Sequence, residues 1–500
     1  MKNLEKVFCA ISLAALLPLT SCSDNDDNKP DDGDDNKSEL PFIYNENEIG
    51  NGDQEYEING EYTLPKGTYI LKGWCYVTKG AKLTIEPGTV IKGDKNLKSS
   101  LIVEPGGQLF AKGTKNNPIV FTSNQPAGSR KPGDWGGLII CGNGVNNKVK
   151  QIIEGGPRTE HGAVNGAAKE DDNSGILSYV RVEFAGSIFN VDQEINGVTF
   201  GSVGSGTQVD HVQVSYSNDD SFEWFGGSVN CKYLVAYHGW DDDFDTDNGY
   251  SGKVQYALGV RNPKSADTSL SNGFESDNNS TAGTESPFTS CVFSNVTLVG
   301  PKGQRDDFQN NSSFIDGGDY NGGAKTGTFQ AAMQIRRNSR LNCFNSVAMG
   351  YPVGIIIEND KGSSTQDWAS QELLKLNNLY FADMDIIGSD VNKTWKDIFS
   401  NDAGKNVDES KISFSHSYFE NQGNSYFENI SDLKLKQPNS LISGSNYGPT
   451  VGSPLLNAAK FTDSMLNAGF DKVTYVGAFN GENDDWMNSW TNFDPQNTQY

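Results

Sequence analysis

The chain has 500 residues, a formal net charge of −24, 55 glycines and 35% hydrophobic residues. That length allows one large β-rich domain or two to three smaller ones. The acidic balance argues against nucleic-acid binding, which needs a basic face. It suits a soluble protein outside the cell that binds divalent cations.

The N-terminus has the pattern of a targeting segment. Lys2 and Lys6 precede an apolar run over residues 7–19, which is too short to span a bilayer as a helix. The Leu-Thr-Ser-Cys sequence that ends at Cys22 resembles a bacterial lipobox. The resemblance implies that residues 1–21 are a signal peptide and that Cys22 carries acyl chains such as palmitate at the outer membrane. A plain secretory signal with a chance cysteine is the alternative.

Residues 22–39 form an acidic tether that is too polar to fold. The acidic run that begins at Ser23 resembles the surface-export signal of Bacteroidota lipoproteins. This resemblance implies display at the cell surface. A merely solvated tether is the alternative.

Repeats begin after residue 69 and predict a solenoid. Segments 81–91 and 100–110 align at an offset of 18 residues, and each reads as strand, Glu-Pro-Gly turn and strand. The Gly-Asp-Trp-Gly-Gly sequence from Gly133 resembles a phrase of right-handed parallel β-helix proteins. Parallel crossovers are overwhelmingly right-handed. The sequence therefore predicts an all-β fold, a right-handed parallel β-helix over residues 40–360. This solenoid architecture resembles that of pectate lyases.

The clearest repeat lies at the centre of the chain. Asp-Asp-Ser-Phe-Glu at 219–223 aligns with Asp-Asp-Asp-Phe-Asp at 241–245, and Gly-Phe-Glu at 273–275 follows. A degenerate copy begins at Met333. Self-similarity at this period is typical of solenoids. Because alternate side chains of a strand point to opposite faces, one column is predicted to point inward: Phe222, Phe244, Phe274 and Met333.

The outward positions of the same repeat are acidic and are predicted to form a column. Carboxylates stacked about 5 Å apart repel one another unless something neutralises them. Ca²⁺ accepts six to eight oxygen ligands in irregular geometry, so it is the predicted cofactor. A solvated acidic face, or carboxylates that cap turns, is the alternative. The predicted ligands are Asp219, Asp220, Glu223, Asp241, Asp242, Asp243, Asp245, Asp247, Glu275 and Asp277.

Arg336 and Arg337 share the phase of Asp277 and Asn278 in the last copy of the repeat. In one interpretation they close the acid column by ion pairing. The other interpretation follows from the resemblance to β-helix pectate lyases, in which calcium-bound carboxylates lie beside basic side chains. There a base abstracts the proton alpha to a uronate carboxylate. The resemblance implies Arg336 and Arg337 as catalytic residues, although no lyase signature accompanies them.

Aromatic residues accompany the acids. Exposed rings can stack on sugars, whereas buried rings fill the corners of coils. Trp224 shares the inward phase of Phe222 and is predicted to be core. Trp240, Phe225 and Tyr250 are the predicted ligand-binding residues.

The remaining features concern the interior and the end of the chain. After residue 360 the pattern changes, and residues 361–500 are predicted to be a small mixed cap over the last coil. Residues 368–379 have helix-compatible spacing, and residues 455–469 read as a short helix after Ser-Pro. Five cysteines are predicted to be small core residues rather than disulfides: Cys75, Cys141, Cys231, Cys291 and Cys343.

Together these features predict a lipid-anchored surface protein that binds an extracellular ligand, a glycan above all, with a cation in the acid column. A polysaccharide lyase or hydrolase that uses the same face is the second hypothesis. A structural adhesin or stalk is the third. The four histidines lack the spacing of a zinc site, and neither a serine-hydrolase nor a phosphate-binding motif is present. The oligomeric state stays open.

Overall fold

Short parallel strands follow one another as coils in the computed structural model of the chain. The predicted signal peptide, Cys22 and the tether lie outside the residues that it describes. Within those residues, no helix is long and apolar enough to cross a membrane. The described residues are 40–148, 151–163, 167–190, 193–317, 326–401, 406–437 and 446–500.

The acidic repeats lie in an 11-stranded sheet, here called the acid sheet. Its strands pair in parallel and in chain order, so each strand adds one coil. The strands are Tyr56–Ile58, Trp74–Val77, Ser100–Val103, Gly137–Cys141, Val198–Gly201, Phe222–Phe225, Phe244–Asp247, Phe274–Ser276, Ala331–Ile335, Val353–Ile357 and Ile386–Ser389.

An 18-stranded sheet forms the rest of the coils. Its first strand pairs antiparallel with the second, and the others pair in parallel. The strands are Ile43–Tyr44, Glu48–Ile49, Glu61–Leu64, Thr68–Leu71, Lys82–Ile85, Val90–Gly93, Gln108–Lys112, Ile119–Ser123, Gly175–Glu183, Gln208–Ser215, Asn230–Tyr237, Lys253–Val260, Val292–Val299, Asn342–Phe344, Val347–Met349, Leu376–Asn377, Tyr380–Ala382 and Ser425–Phe427.

In the central coils a single long strand of this sheet bends at a residue with positive φ. Tyr179, His211, Tyr233 and Tyr256 occupy this corner, with φ of 51°, 52°, 59° and 64°. Such a conformation costs a non-glycine residue roughly 1–3 kcal/mol. Stacking offsets part of that cost, because successive ring centroids lie 4.2, 4.5 and 4.8 Å apart. We call these four residues the corner column.

The interior confirms the predicted fold class. Phe222, Phe244, Phe274 and Met333 lie in register on neighbouring strands. The first two ring centroids are 5.8 Å apart and the next pair 5.4 Å. Burial of each such side chain contributes roughly 1.5–3 kcal/mol. Trp224 is fully buried as predicted, and the five cysteines predicted to be core are free and buried.

Parallel coils continue beyond residue 360, so the predicted boundary of the β-helix lies too early. Ile386–Ser389 still pairs with the acid sheet, and Ser425–Phe427 with the other sheet. The helix predicted over 368–379 is shorter and earlier, at Thr365–Ser370, because residues 376–377 form a strand. Helix Phe414–Asn421 packs on the last strands of the acid sheet and covers them.

Smaller elements connect the coils. The antiparallel pairs are Gln151–Ile152 with Glu160–His161, Ile188–Asn190 with Gln193–Glu194, Phe399–Ser400 with Val407–Asp408, and Leu435–Gln437 with Asn446–Pro449. One further α-helical turn is Pro301–Gln304. The 3₁₀ turns are Asp360–Gly362, Ile430–Leu433 and Ser464–Leu466, the last being all that forms of the helix predicted over 455–469.

Residues 455–500, here called the strap, run back along the 18-stranded sheet toward earlier coils. Three side-chain amides of the solenoid each donate to a strap carbonyl and accept the N–H of the same strap residue. These clasps join Asn345 to Lys460, Gln255 to Asp471 and Gln213 to Asn492, with distances of 2.7–3.1 Å. The strap therefore lies along the side of the coils instead of capping the last one.

Candidate functional site: an acid column on the outer face

The acid column forms in the register that the repeat predicts. Glu223 pairs with Asp245, Asp245 with Glu275, and Glu275 with Gln334. The column is less exposed than a solvated face, since Glu223 retains only 5% of its surface. The loop before strand Val198–Gly201 contributes Asn196, whose side-chain amide donates to Glu223.

One end of the column is a carboxylate cluster made of Asp219, Asp220, Glu223, Asp241 and Asp245. One carboxylate oxygen from each of Asp220, Glu223 and Asp245 lies within 4.8 Å of the others, and Asp219, Asp220 and Asp241 form a second such triplet. Asp241 Oδ1 and Asp245 Oδ1 are buried and accept no hydrogen bond from the described residues. Oxygen-only donors with unused buried lone pairs fit a hard cation.

Burial and mutual repulsion hold these carboxyls toward their neutral form. Burial first, and then the neighbouring carboxylates, raise the pKa of Asp220, Glu223 and Asp245 well above its usual value. The same causes raise the pKa of Asp241 to about 8 and that of Asp247 to about 7. Near neutral pH the cluster therefore requires protons or a bound cation.

The other end of the column is an arginine-paired group made of Glu275, Asp277, Arg336 and Arg337. Arg336 Nε lies 2.9 Å from Asp277 Oδ1, and its Nη2 pairs with Glu275. Arg337 Nη1 lies 2.6 Å from Asp277 Oδ2, and its Nε contacts Asp360 at 2.9 Å. These contacts confirm the interpretation that the arginines close the column by ion pairing.

The ion pairs weigh against the arginines as bases. Burial lowers the pKa of each guanidinium, but the charges of Asp277 and Glu275 outweigh it and raise the pKa of both Arg336 and Arg337. A guanidinium held in this way keeps its proton. Removal of a proton from a substrate would first require these ion pairs to break.

Asp243 was predicted as a cation ligand, and that prediction is wrong. Its Oδ1 lies 3.0 Å from Arg261 Nη1, and both side chains are fully buried. It precedes the strand that begins at Phe244, where strand alternation does not yet apply. Asp243 therefore belongs to an internal ion pair.

The carboxylates of Asp242 and Asp247 accept hydrogen bonds from backbone N–H groups. Asp242 Oδ1 accepts the N–H of Asn272, and Asp247 Oδ1 accepts the N–H of Asn248. Asp220 does the same for the N–H of Asp242, at 2.8 Å. Part of the acid column thus consists of carboxylates that hold turns, which was the alternative to a cation site.

The aromatic residues predicted to bind ligand are buried, so that prediction is also wrong. Trp240, Phe225 and Tyr250 retain 1%, 7% and 0% of their surface. The Tyr250 hydroxyl donates to the Val229 carbonyl at 2.8 Å, and its ring stacks on Trp224. Tyr250 and Trp240 lie in turns, where alternation gives no guide to side-chain direction.

Sequence reasoning also missed the corner column. His211, Tyr233 and Tyr256 recur at offsets of 22 and 23 residues, which is nearly the offset of the acid repeat. This shared period is the sequence signal from which the corner column could have been predicted.

A family model described as a pectate-lyase like beta helix domain matches residues 56–425. The match covers most of the chain and agrees with its two parallel sheets, and the chain belongs to this family. No curated protein is similar enough to the chain to serve as a relative.

Proposed function

We propose that the chain is a lipid-anchored protein of the cell surface that binds an extracellular glycan with the help of a divalent cation in the carboxylate cluster. The family description supports a glycan-related role, and the lipobox-like sequence at Cys22 supports the anchor. The observation that carries the cation site is the triplet Asp220, Glu223 and Asp245, whose oxygens lie within 4.8 Å of one another.

A cation would also change what the cluster can bind. Without one, the cluster and the net charge of −24 repel uronates and sulfated sugars. A bound Ca²⁺ needs six to eight oxygens, more than three carboxylates supply if each contributes one. Water or the carboxylate and hydroxyl oxygens of a glycan would complete its shell. We therefore expect acidic glycans to bind only with the cation.

Calorimetry with acidic and neutral glycans tests this function. Wild-type protein should bind an acidic glycan in Ca²⁺ and lose that binding in EDTA. Asp245→Asn should abolish the Ca²⁺-dependent binding, whereas Asp307→Asn, at an exposed aspartate outside the column, should retain it. Silence across acidic and neutral glycans would contradict the proposal.

The anchor has its own test. Cells that express the wild-type chain should incorporate labelled palmitate into it, and protease added to intact cells should degrade it. Cys22→Ser should incorporate no label and leave the membrane fraction. An unlabelled wild-type chain, or one protected from protease, would contradict the lipid anchor or the surface location respectively.

A polysaccharide lyase is the second candidate, and the family description is the observation that favours it. A base would take the proton alpha to a uronate carboxylate, a carbon–carbon double bond would form, and the glycosidic oxygen would leave. Incubation with uronate polymers should then raise the ultraviolet absorbance. If a guanidinium released from its ion pairs is the base, Arg336→Ala or Arg337→Ala should remove that rise. No signal on any uronate polymer would exclude the lyase.

If the chain is a stalk without small ligands, Ca²⁺ should change only the melting temperature. That outcome, together with silence in both assays, would favour the structural alternative.

A further inference from the structure

A second concave site lies where the strap crosses the corner column. A pocket of about 310 Å³ opens there, which is at the lower end of the usual range for small-ligand sites. Tyr233 contributes one wall from the solenoid, and Tyr475 and Trp486 contribute the other from the strap. The Tyr233 and Trp486 ring centroids are 5.5 Å apart and tilted by 50°.

The aromatic walls are held in place before any ligand arrives. Tyr233 is stacked between His211 and Tyr256. The Trp486 indole N–H donates to the Ala478 carbonyl at 3.0 Å, and its ring stacks on Phe479 at 5.5 Å. A preorganised site loses little conformational entropy on binding.

Clasps to the solenoid hold the strap on either side of Tyr475. Asn295 donates to the Tyr475 carbonyl at 2.8 Å. Gln255 clasps Asp471, and Ala478 N–H donates to Thr297 at 3.0 Å. The strap wall is therefore fixed at several points.

The rim offers hydrogen-bonding groups without partners. The Tyr233 hydroxyl and the side chains of Asn480 and Asn483 make no hydrogen bond within the described part of the chain, and the two asparagines are exposed. Asp484 is held by the N–H groups of Asn480 and Trp486, at 2.6 and 3.2 Å. The rim thus presents amide donors and acceptors together with oriented acceptor oxygens.

The charges at the rim select among ligands. The described lining includes no lysine or arginine, so a uronate or sulfate would meet no unpaired cation on the pocket wall. Asp485 also lines the pocket, and Lys115 partly neutralises it at 2.9 Å. A neutral ligand with many hydroxyls and one apolar face suits such a site.

We infer that this strap pocket binds a neutral pyranose unit of a glycan without a metal ion. The C–H face of the sugar would lie against the Trp486 ring, because the negative face of an aromatic ring attracts polarised C–H groups and both faces of Tyr233 are already covered by His211 and Tyr256. The sugar hydroxyls would bond to Asn480, Asn483 and the Tyr233 hydroxyl. The inference shares only its ligand class with the proposed function, because the carboxylate cluster takes no part in it.

Calorimetry on the mature chain in EDTA tests the inference, with neutral oligosaccharides of glucose, galactose, mannose and xylose as probes. At least one should bind. Asn483→Ala should weaken it about fivefold, as expected for one lost hydrogen bond. Trp486→Ala should weaken it about tenfold or more. Asn467→Ala, at an exposed strap asparagine outside the pocket, should bind as wild type.

The design separates this inference from the proposed function. Trp486→Ala can also loosen the strap, which would lower its melting temperature. In that case Asn483→Ala decides the test, because it removes no internal hydrogen bond. The absence of binding by every neutral probe in EDTA would overturn the inference, as would wild-type affinity in both variants. Ca²⁺-dependent binding of acidic glycans would remain a separate result.

Discussion

The two ends of the acid column balance the same kind of charge in different ways. At one end, Arg336 and Arg337 supply guanidinium groups to Glu275 and Asp277. At the other end, Asp245 keeps a buried oxygen without a hydrogen-bond donor among the described residues. The strands are in register throughout, so the backbone does not cause the difference.

The difference shows how a repeat acquires a binding site. The degenerate copy, residues 333–338, replaces an acid by Gln334 and adds the two arginines. Those changes turn one end of the column into a permanent ion-pair network. The carboxylate cluster lacks such replacements, so protons or a cation from solution must take the place of the guanidinium groups.

The largest expected effect on stability comes from removal of the Arg336 guanidinium. Arg336→Ala leaves Glu275 and Asp277 partly buried without their main partner. We expect about 3–5 kcal/mol of destabilisation at pH 7, the usual cost of breaking a buried pair, measured by thermal and urea unfolding. Arg336→Lys should recover part of it. Wild-type stability in Arg336→Ala would show that the two ends do not differ in this way.

The pH dependence should follow from the raised pKa values. A carboxyl whose folded pKa is raised stabilises the fold below its unfolded pKa of about 4, and that stability is lost as the pH rises through its folded pKa. With the pKa of Asp247 at about 7 and that of Asp241 at about 8, the window is about pH 4 to 8. In EDTA we expect a loss of several kcal/mol across it, because each tenfold change in proton affinity is worth about 1.4 kcal/mol, and this loss is seen as a falling melting temperature.

Addition of the cation should reverse that loss. Saturating Ca²⁺ at pH 7 should raise the free energy of unfolding by about 2–3 kcal/mol, the linkage effect of a ligand near a hundred times its Kd. It should also flatten the pH profile. A melting temperature equal in Ca²⁺ and EDTA at every pH would argue for protons as the only neutralising species.

The smallest expected effect is on the free energy of unfolding of two matched variants, which should change in opposite directions. In EDTA at pH 7, Glu223→Gln removes a repelled carboxyl and should stabilise the fold by about 1 kcal/mol. Asp277→Asn removes an ion-pair partner and should destabilise it by a similar or larger amount. Urea unfolding compares the two, and shifts of the same sign would remove the distinction between the two ends.

Periodic features were predictable from the sequence, and non-periodic ones were not. The repeat placed Phe222 over Phe244 and Glu223 beside Asp245, because strand alternation is regular. It failed for Asp243 and Trp240, which lie in turns. The strap gave no signal, since its clasps join residues 115 to 279 positions apart. Cation binding by the cluster stays a prediction.

Calorimetric titration of Ca²⁺ into chelator-stripped protein at pH 7 tests the central claim most directly. The account predicts saturable binding to the wild-type chain, its loss in Asp245→Asn, and its persistence in Asp307→Asn. Absence of Ca²⁺ binding in the wild type, or unchanged binding in Asp245→Asn, would contradict it.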